Sequence, residues 1–350
     1  MSKVFCNFAP VLYGAYYAHV RKATQMNDEK YIQRCLDLAV LGQYYVAPNP
    51  MVGAVLVADD RILAEGWHQA YGGPHAEVNC FADAERRGIT EEQIHQATLY
   101  VSLEPCSHYG KTPPCADLIL RKRPKRVVVG MEDPNPQVSG NGIAKLRQAG
   151  IEVTCGVLEN ECRSLNKRFI CLMEKHRPYV ILKWAQTRDG FIDDNSAKPL
   201  LISSPLTKQL VHKMRAENMA ILVGARTVEK DRPRLRTTRW NGRDPLRIAL
   251  DHHPEGKDYT GWLVYSDNTE WPHVLADLAQ RGIHSVIVEG GATVLNHILQ
   301  TGIYDEVHVE VSENTCSDGV KAPEWNLQNN LAKNLCIEKY ETSTIYCYSM

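Results

Sequence analysis

Neither sign of charge dominates this sequence: 40 lysines and arginines face 41 aspartates and glutamates, a formal net charge of −1 over 350 residues. So even a balance gives no electrostatic basis for binding nucleic acid or an anionic membrane, although a pocket for one phosphate would not show in the total. Long apolar runs are also missing. Phe5 to Val20 is interrupted by Pro10, Gly14 and His19, which leaves it too broken to span a bilayer, and it has no cleavage-site pattern. The 11 cysteines are odd in number and follow no paired framework. That pattern indicates free thiols in a reducing compartment, the cytoplasm, with some available for a metal. No internal repeat or low-complexity tract interrupts the chain.

A chain of this length is natural for two domains. Met26 precedes Asn27-Asp28-Glu29-Lys30, a helix-start pattern, so residues 1–27 are expected to be a loosely attached extension. Ile32, Leu36, Ala39 and Val40 recur at helical spacing up to Gly42. Strand patterns at Met51–Ala58, Ile62–Trp67, Ala97–Leu103, Arg126–Gly130 and Ile151–Cys155 alternate with helices near His75–Arg87, Pro114–Arg121 and Ile143–Ala149. Such alternation predicts an α/β sandwich with a largely parallel sheet over residues 28–174. The polar, proline-terminated Lys175-His176-Arg177-Pro178 marks the boundary, and a second α/β run fills 175–350.

The first half carries a metal-ligand pattern. Pro74-His75-Ala76-Glu77 opens a helix, Glu104-Pro105-Cys106 ends a strand, and Pro113-Pro114-Cys115 opens another helix. One imidazole and two thiolates leave a tetrahedral Zn²⁺ with an open corner, where water can bind and its pKa can fall towards neutrality. Glu77, two residues past His75, is free to move protons between that water and a leaving amine. Taken singly, a histidine or a cysteine is more often a core residue than a ligand. The combination H-x-E with P-C…C is the signature of zinc nucleobase deaminases, although eight residues rather than two separate these cysteines.

Around these residues the sequence resembles the bifunctional deaminase/reductase family of bacterial riboflavin biosynthesis. The resemblance rests on His75-Ala76-Glu77-Val78, on the run from Glu104 to Cys115, on Asn49-Pro50-Met51-Val52-Gly53 and on Asp133-Pro134-Asn135-Pro136. It implies a cytidine-deaminase-like α/β/α sandwich followed by a dihydrofolate-reductase-like α/β domain. It implies a phosphorylated diaminopyrimidinone substrate, zinc and NADPH as cofactors, and a homo-oligomer. By position, Asn49, His68, Asp133 and Asn135 would contact the ring or its ribose, and His108 and Lys111 the ribose phosphate.

In the second half, Lys183 lies in a strand, Val223-Gly224 ends another, and Val288-Glu289-Gly290-Gly291 ends a third before a helix. A strand ending in Gly-Gly before a helix can cradle a phosphate or cofactor, or be only a tight turn. The resemblance implies Lys183, Ser203, Arg215, Asp231 and Glu289 on the substrate side and Gly224, Thr227, Gly290 and Gly291 along the cofactor. Two departures stand out. Pro199-Leu200-Leu201 replaces the Ser-x-Trp often found in the family, and Thr238, flanked by Arg236 and Arg239, holds the place where the family usually has arginine. The competing expectations are a nucleoside or tRNA deaminase carrying a non-catalytic binding domain, and a pseudoenzyme with structural zinc.

Overall fold

The computed structural model describes residues 26–109, 113–136, 139–196, 198, 200–325 and 334–350. The extension expected over 1–27 lies almost wholly outside them. By packing, the chain divides into two compact units, one ending at Asn166 and the other running Lys167–Met350.

The first unit is a five-stranded sheet, β1 (Gly53–Ala58), β2 (Arg61–Trp67), β3 (Thr98–Leu103), β4 (Arg126–Met131) and β5 (Glu152–Cys155), in the order β2-β1-β3-β4-β5. β1 runs antiparallel to β2 and β3, whereas β3, β4 and β5 are parallel. The interior strands are apolar almost throughout because both faces are covered. Among the described residues six helices accompany the sheet: α1 (26–40), α2 (Ala76–Arg86), α3 (Glu91–Gln96), α4 (Cys115–Lys122), α5 (Asn141–Gln148) and α6 (Glu159–Leu165). α1 begins before Glu29 and is pinned there. Arg126 grips Asp28 with both terminal nitrogens, at 2.9 and 2.8 Å, and the Tyr100 hydroxyl donates to the same carboxylate. α3 is short and rests on a Thr90/Gln93 capping box, a signal present in the sequence but without an apolar repeat long enough to reveal a helix.

The second unit carries α7 (Lys167–Lys175), β6 (Tyr179–Gln186), β7 (Phe191–Asp193), α8 (Pro205–Ala216), β8 (Ala220–Gly224), α9 (Ala225–Asp231), β9 (Leu246–Leu250), β10 (Trp262–Tyr265), α10 (Trp271–Gln280), β11 (Ser285–Glu289), α11 (Ala292–Thr301), β12 (Glu306–Ser312), β13 (Val320–Lys321), β14 (Asn334–Lys339) and β15 (Ser343–Ser349). Eight strands form one sheet in the order β10-β9-β8-β11-β6-β12-β15-β14, parallel from β10 to β12 and antiparallel for the last two pairings. β7 and β13 make a separate two-stranded ladder. Val180, Leu182 and Trp184 face a core shared with α10 and α11, so Lys183 points to the opposite face.

α7 packs with the second unit, although the polar stretch at Lys175–Pro178 invites a boundary after it. Its anchors are distant in sequence: Arg168 Nε donates to Asn218 at 2.9 Å, Lys167 pairs with Glu306, and Lys175 with Asp305. Asp305, 5% exposed, also takes two bonds from Arg177 and one from the Val180 N–H. Burial pushes its carboxyl up, but Arg177 and Lys175 outweigh burial and hold it below the usual 3.8. A depressed carboxyl stabilises the fold above its unfolded value and loses that contribution as pH falls through the folded one. Asp305→Asn should therefore cost about 3 kcal/mol at neutral pH, by leaving the half-buried Arg177 without its carboxylate. In paired denaturation curves the gap from the parent chain should close below the usual carboxylate range, and a gap that does not change with pH would refute the assignment.

Candidate active sites

Each ligand candidate in the first unit sits at an element end. His75 is the extended residue capping α2, Cys106 follows β3, and Cys115 is the first residue of α4 after two prolines. The ligand atoms all lie within 4.8 Å of one another. His75 Nδ1 is 3.6 Å from Cys106 Sγ and 3.4 Å from Cys115 Sγ, so Nδ1 is the nitrogen turned to the sulfurs. The Cys115 backbone N–H donates to Cys106 Sγ at 3.3 Å. With the Cys115 thiol and His75 also bonded to it, the Cys106 sulfur is held well below its usual range. The donor set of two sulfurs and one imidazole suits Zn²⁺, and no other cluster of three candidate ligands occurs among the described residues.

Glu77 is 3% exposed beside this cluster. Burial raises its carboxyl to about 7, with Cys106 adding to the effect and His75 opposing it. His68 Nδ1 donates to the Pro74 carbonyl at 2.9 Å, which leaves Nε2 to accept from Asn49 Nδ2 at 3.1 Å. Burial lowers the His68 pKa, so the ring stays neutral, edge-on to His75 with ring centroids 5.6 Å apart. Asp133 Oδ1 accepts from the Asn135 N–H at 2.9 Å, and burial raises the Asp133 carboxyl. His108 is exposed one residue before the end of the described run, and Lys111 lies outside the described residues.

One residue of the motif has a role that the sequence does not disclose. Glu104, 3% exposed, accepts four backbone N–H groups: those of Asp133 and Gly140 on Oε2, and those of Gly142 and Ile143 on Oε1, at 2.8 to 3.1 Å. It ties the Cys106 loop to the Asp133–Asn135 loop and to the start of α5. Gly142 permits this approach, since a Cβ there would lie 2.1 Å from the Pro105 carbonyl oxygen.

In the second unit a cleft of about 700 Å³ opens at the C-terminal ends of β6, β8 and β11. Lys183, Arg215, Asp231, Glu289, Gly224, Thr227, Gly290 and Gly291 all line it. Ser203 does not, and its hydroxyl donates instead to the buried Glu310 at 2.6 Å. Arg215 Nη2 donates to Glu289 Oε2 at 2.6 Å, and Arg215 with Lys183 holds the buried Glu289 carboxyl below its usual value against the upward push of burial. Glu289 Oε1 and Arg215 Nε are buried with no partner among the described residues, polar atoms available to a ligand. Gly290 and Gly291 have φ of 80° and 72°, and a Cβ on Gly290 would meet Thr227 at 3.4 Å. The backbone therefore comes to the cleft bare, just ahead of the free N–H groups of α11.

The comparisons agree with this division. Residues 25–131 match the model of the cytidine and deoxycytidylate deaminase zinc-binding region, and residues 178–312 match the RibD C-terminal domain. The chain is 35% identical to the riboflavin biosynthesis protein RibD of Aquifex aeolicus, with 91% of this chain and 96% of that protein covered. It is 36% identical to the Escherichia coli protein of that name, with 82% and 88% covered. The crystal structure of a Thermotoga maritima diaminohydroxyphosphoribosylaminopyrimidine deaminase/5-amino-6-(5-phosphoribosylamino)uracil reductase superposes with a TM-score of 0.82 at 38% identity, covering 93% of this chain and 99% of that one. Acinetobacter baumannii RibD gives the same TM-score at 31% identity and the same coverages.

Fold and sites together define a two-domain enzyme, a zinc-dependent deaminase joined to a reductase. The chain belongs to the RibD family of bifunctional riboflavin biosynthesis enzymes. A tRNA or nucleoside deaminase with an inert second domain is not favoured, because the second half matches the reductase portion of this family.

Proposed function

We propose that the first unit hydrolytically deaminates 2,5-diamino-6-(5-phosphoribosylamino)pyrimidin-4-one, and that the second unit uses NADPH to reduce the ribosyl group of the resulting uracil to ribityl. The observation that carries the first step is His75, Cys106 and Cys115 converging within 4.8 Å beside buried Glu77. When bound, zinc supplies Lewis acidity that makes water a nucleophile near neutral pH. Glu77 takes a proton from the water as its oxygen bonds to the ring carbon, and delivers it to the amine as the C–N bond breaks and ammonia leaves. By the family resemblance, Asn49, His68, Asp133 and Asn135 contact the ring or its ribose, and His108 and Lys111 take the ribose phosphate.

In the second unit NADPH supplies the hydride. Gly224, Thr227, Gly290 and Gly291 form its bed, a reading supported by the bare backbone at the start of α11. Arg215 and Glu289 position the substrate, with Lys183 and Asp231 beside them in the cleft, while Ser203, bonded to Glu310 away from the cleft, takes no part in this reading. The protein is read as cytoplasmic from its odd, unframed set of cysteines, and as a homo-oligomer by the family resemblance alone. On purified zinc-loaded protein, the diaminopyrimidine should release ammonia without any NADPH, and NADPH should be consumed only once the deaminated product is present. Ammonia release with no NADPH consumption at any product concentration would refute the second step.

A further inference from the structure

One rung of the second sheet crosses five strands. Glu289 on β11 pairs with Lys183 on β6, Lys183 with His308 on β12, His308 with Cys347 on β15, and Cys347 with Cys336 on β14. Partners on a rung share a face, so two cleft residues, the Cys347 thiol of the penultimate strand and the Cys336 thiol of the edge strand lie in one line. The Tyr340 N–H bonds to the Ser343 carbonyl at 2.8 Å across a two-residue turn, making 340/343 a hydrogen-bonded pair. Such pairs alternate along an antiparallel ladder, so 338/345 and 336/347 are hydrogen-bonded pairs too, with Cα atoms about 5.5 Å apart. That separation lies within the range a disulfide spans, although the Cβ atoms must draw in, which places the bond among the more easily reduced.

The two sulfurs differ in surroundings. Cys336 is the exposed cysteine among those described, and Cys347 is half-buried. Cys347 Sγ is 3.3 Å from His308 Nδ1, and His308 Nε2 is 3.1 Å from Glu306 Oε2. Glu306 can only accept, and Lys167 bonds to its other oxygen. The Nε2 proton therefore faces Glu306, and Nδ1 is left to accept from the Cys347 thiol. Burial, with Glu338 and Cys336 adding to it, pushes the Cys347 thiol up to about 12, so its proton stays on until a base removes it.

We propose that Cys336 and Cys347 form an oxidation site, closed into a cross-strand disulfide by low-molecular-weight disulfides, with His308 accepting the Cys347 proton and the reductase cleft sensing the closure. The Cys336 thiolate attacks one sulfur of the small disulfide, whose S–S bond breaks, and the first thiol leaves with the Cys336 proton. Cys347 sulfur then attacks Cys336 sulfur, its proton passes to His308 Nδ1 and on to the departing second thiol. Two protein thiols lose two electrons and the small disulfide becomes two thiols. Closure removes the thiol from His308, the rung neighbour of Lys183.

The test uses zinc-loaded full-length protein with excess oxidised glutathione, mapped by non-reducing peptide mass spectrometry. A Cys336–Cys347 cross-link should form, and dithiothreitol should reverse it. Cys336→Ser should keep both basal rates and resist the oxidant, while His308→Gln should accumulate glutathione on Cys336. A stable mixed disulfide on Cys336 in the parent chain, or two untouched thiols, overturns the site. The sensing part rests on the reductase reading above. There the NADPH-consuming rate should fall several-fold on oxidation while ammonia release holds, and a cross-linked protein with an unchanged reductase rate overturns the coupling alone. Because mass reports the cross-link without any activity, failure of the site and failure of the reductase reading are separable.

Discussion

Glu77→Gln should abolish ammonia release, lowering it by about 10²–10⁴-fold, while zinc content stays that of the parent chain. The metal is expected to be held by His75, Cys106 and Cys115, whose ligand atoms converge without help from the carboxyl. Glutamine fills the same buried space but cannot carry a proton from water to amine. The test pairs metal analysis with an ammonia assay on one preparation. Loss of zinc in the variant would make Glu77 a ligand or a prop for the metal, and the assigned proton transfer would be withdrawn.

Glu104→Ala should be the most destabilising single change near the first site. Four backbone N–H groups, of Asp133, Gly140, Gly142 and Ile143, converge on one buried carboxylate. Each donor stranded without a partner costs about 1–3 kcal/mol. Water entering the space recovers part of the sum, so the net loss is expected at about 3–5 kcal/mol, or roughly 10 °C in the melting temperature of that unit. Glu104→Gln, which keeps one accepting oxygen, should lose less. Calorimetry with near-identical melting curves for parent and alanine variant would show that the clamp is not holding the loops.

The ligand pattern was legible because its chemistry is local. His75 and Glu77 share the start of one helix, and Cys106 and Cys115 each stand at an element end marked by proline. Glu104 was visible as part of the motif, but its function was not, since its four partners are backbone atoms 29 to 39 residues downstream and carry no side-chain signature. The same limit explains α7, whose allegiance is decided by Glu306, Asn218 and Asp305. β10 is only four residues between turns, too short for an alternation to emerge. In the second cleft the Gly-Gly turn was visible in the sequence, whereas the diversion of Ser203 to Glu310 depends on a strand 107 residues away.

The strand order of the two sheets has a consequence for synthesis on the ribosome. Every strand of the first sheet has been made once Cys155 is added, so that unit can mature while translation continues. The second sheet must wait, because β15 is an interior member wedged between β12 and β14. Until residues 343–349 emerge, β12 presents an unpaired edge of backbone donors and acceptors, and β14 has nothing to lie against. The nascent chain thus carries a finished metalloenzyme fold ahead of a half-built one, and the unfinished edge is where a holding chaperone would be needed.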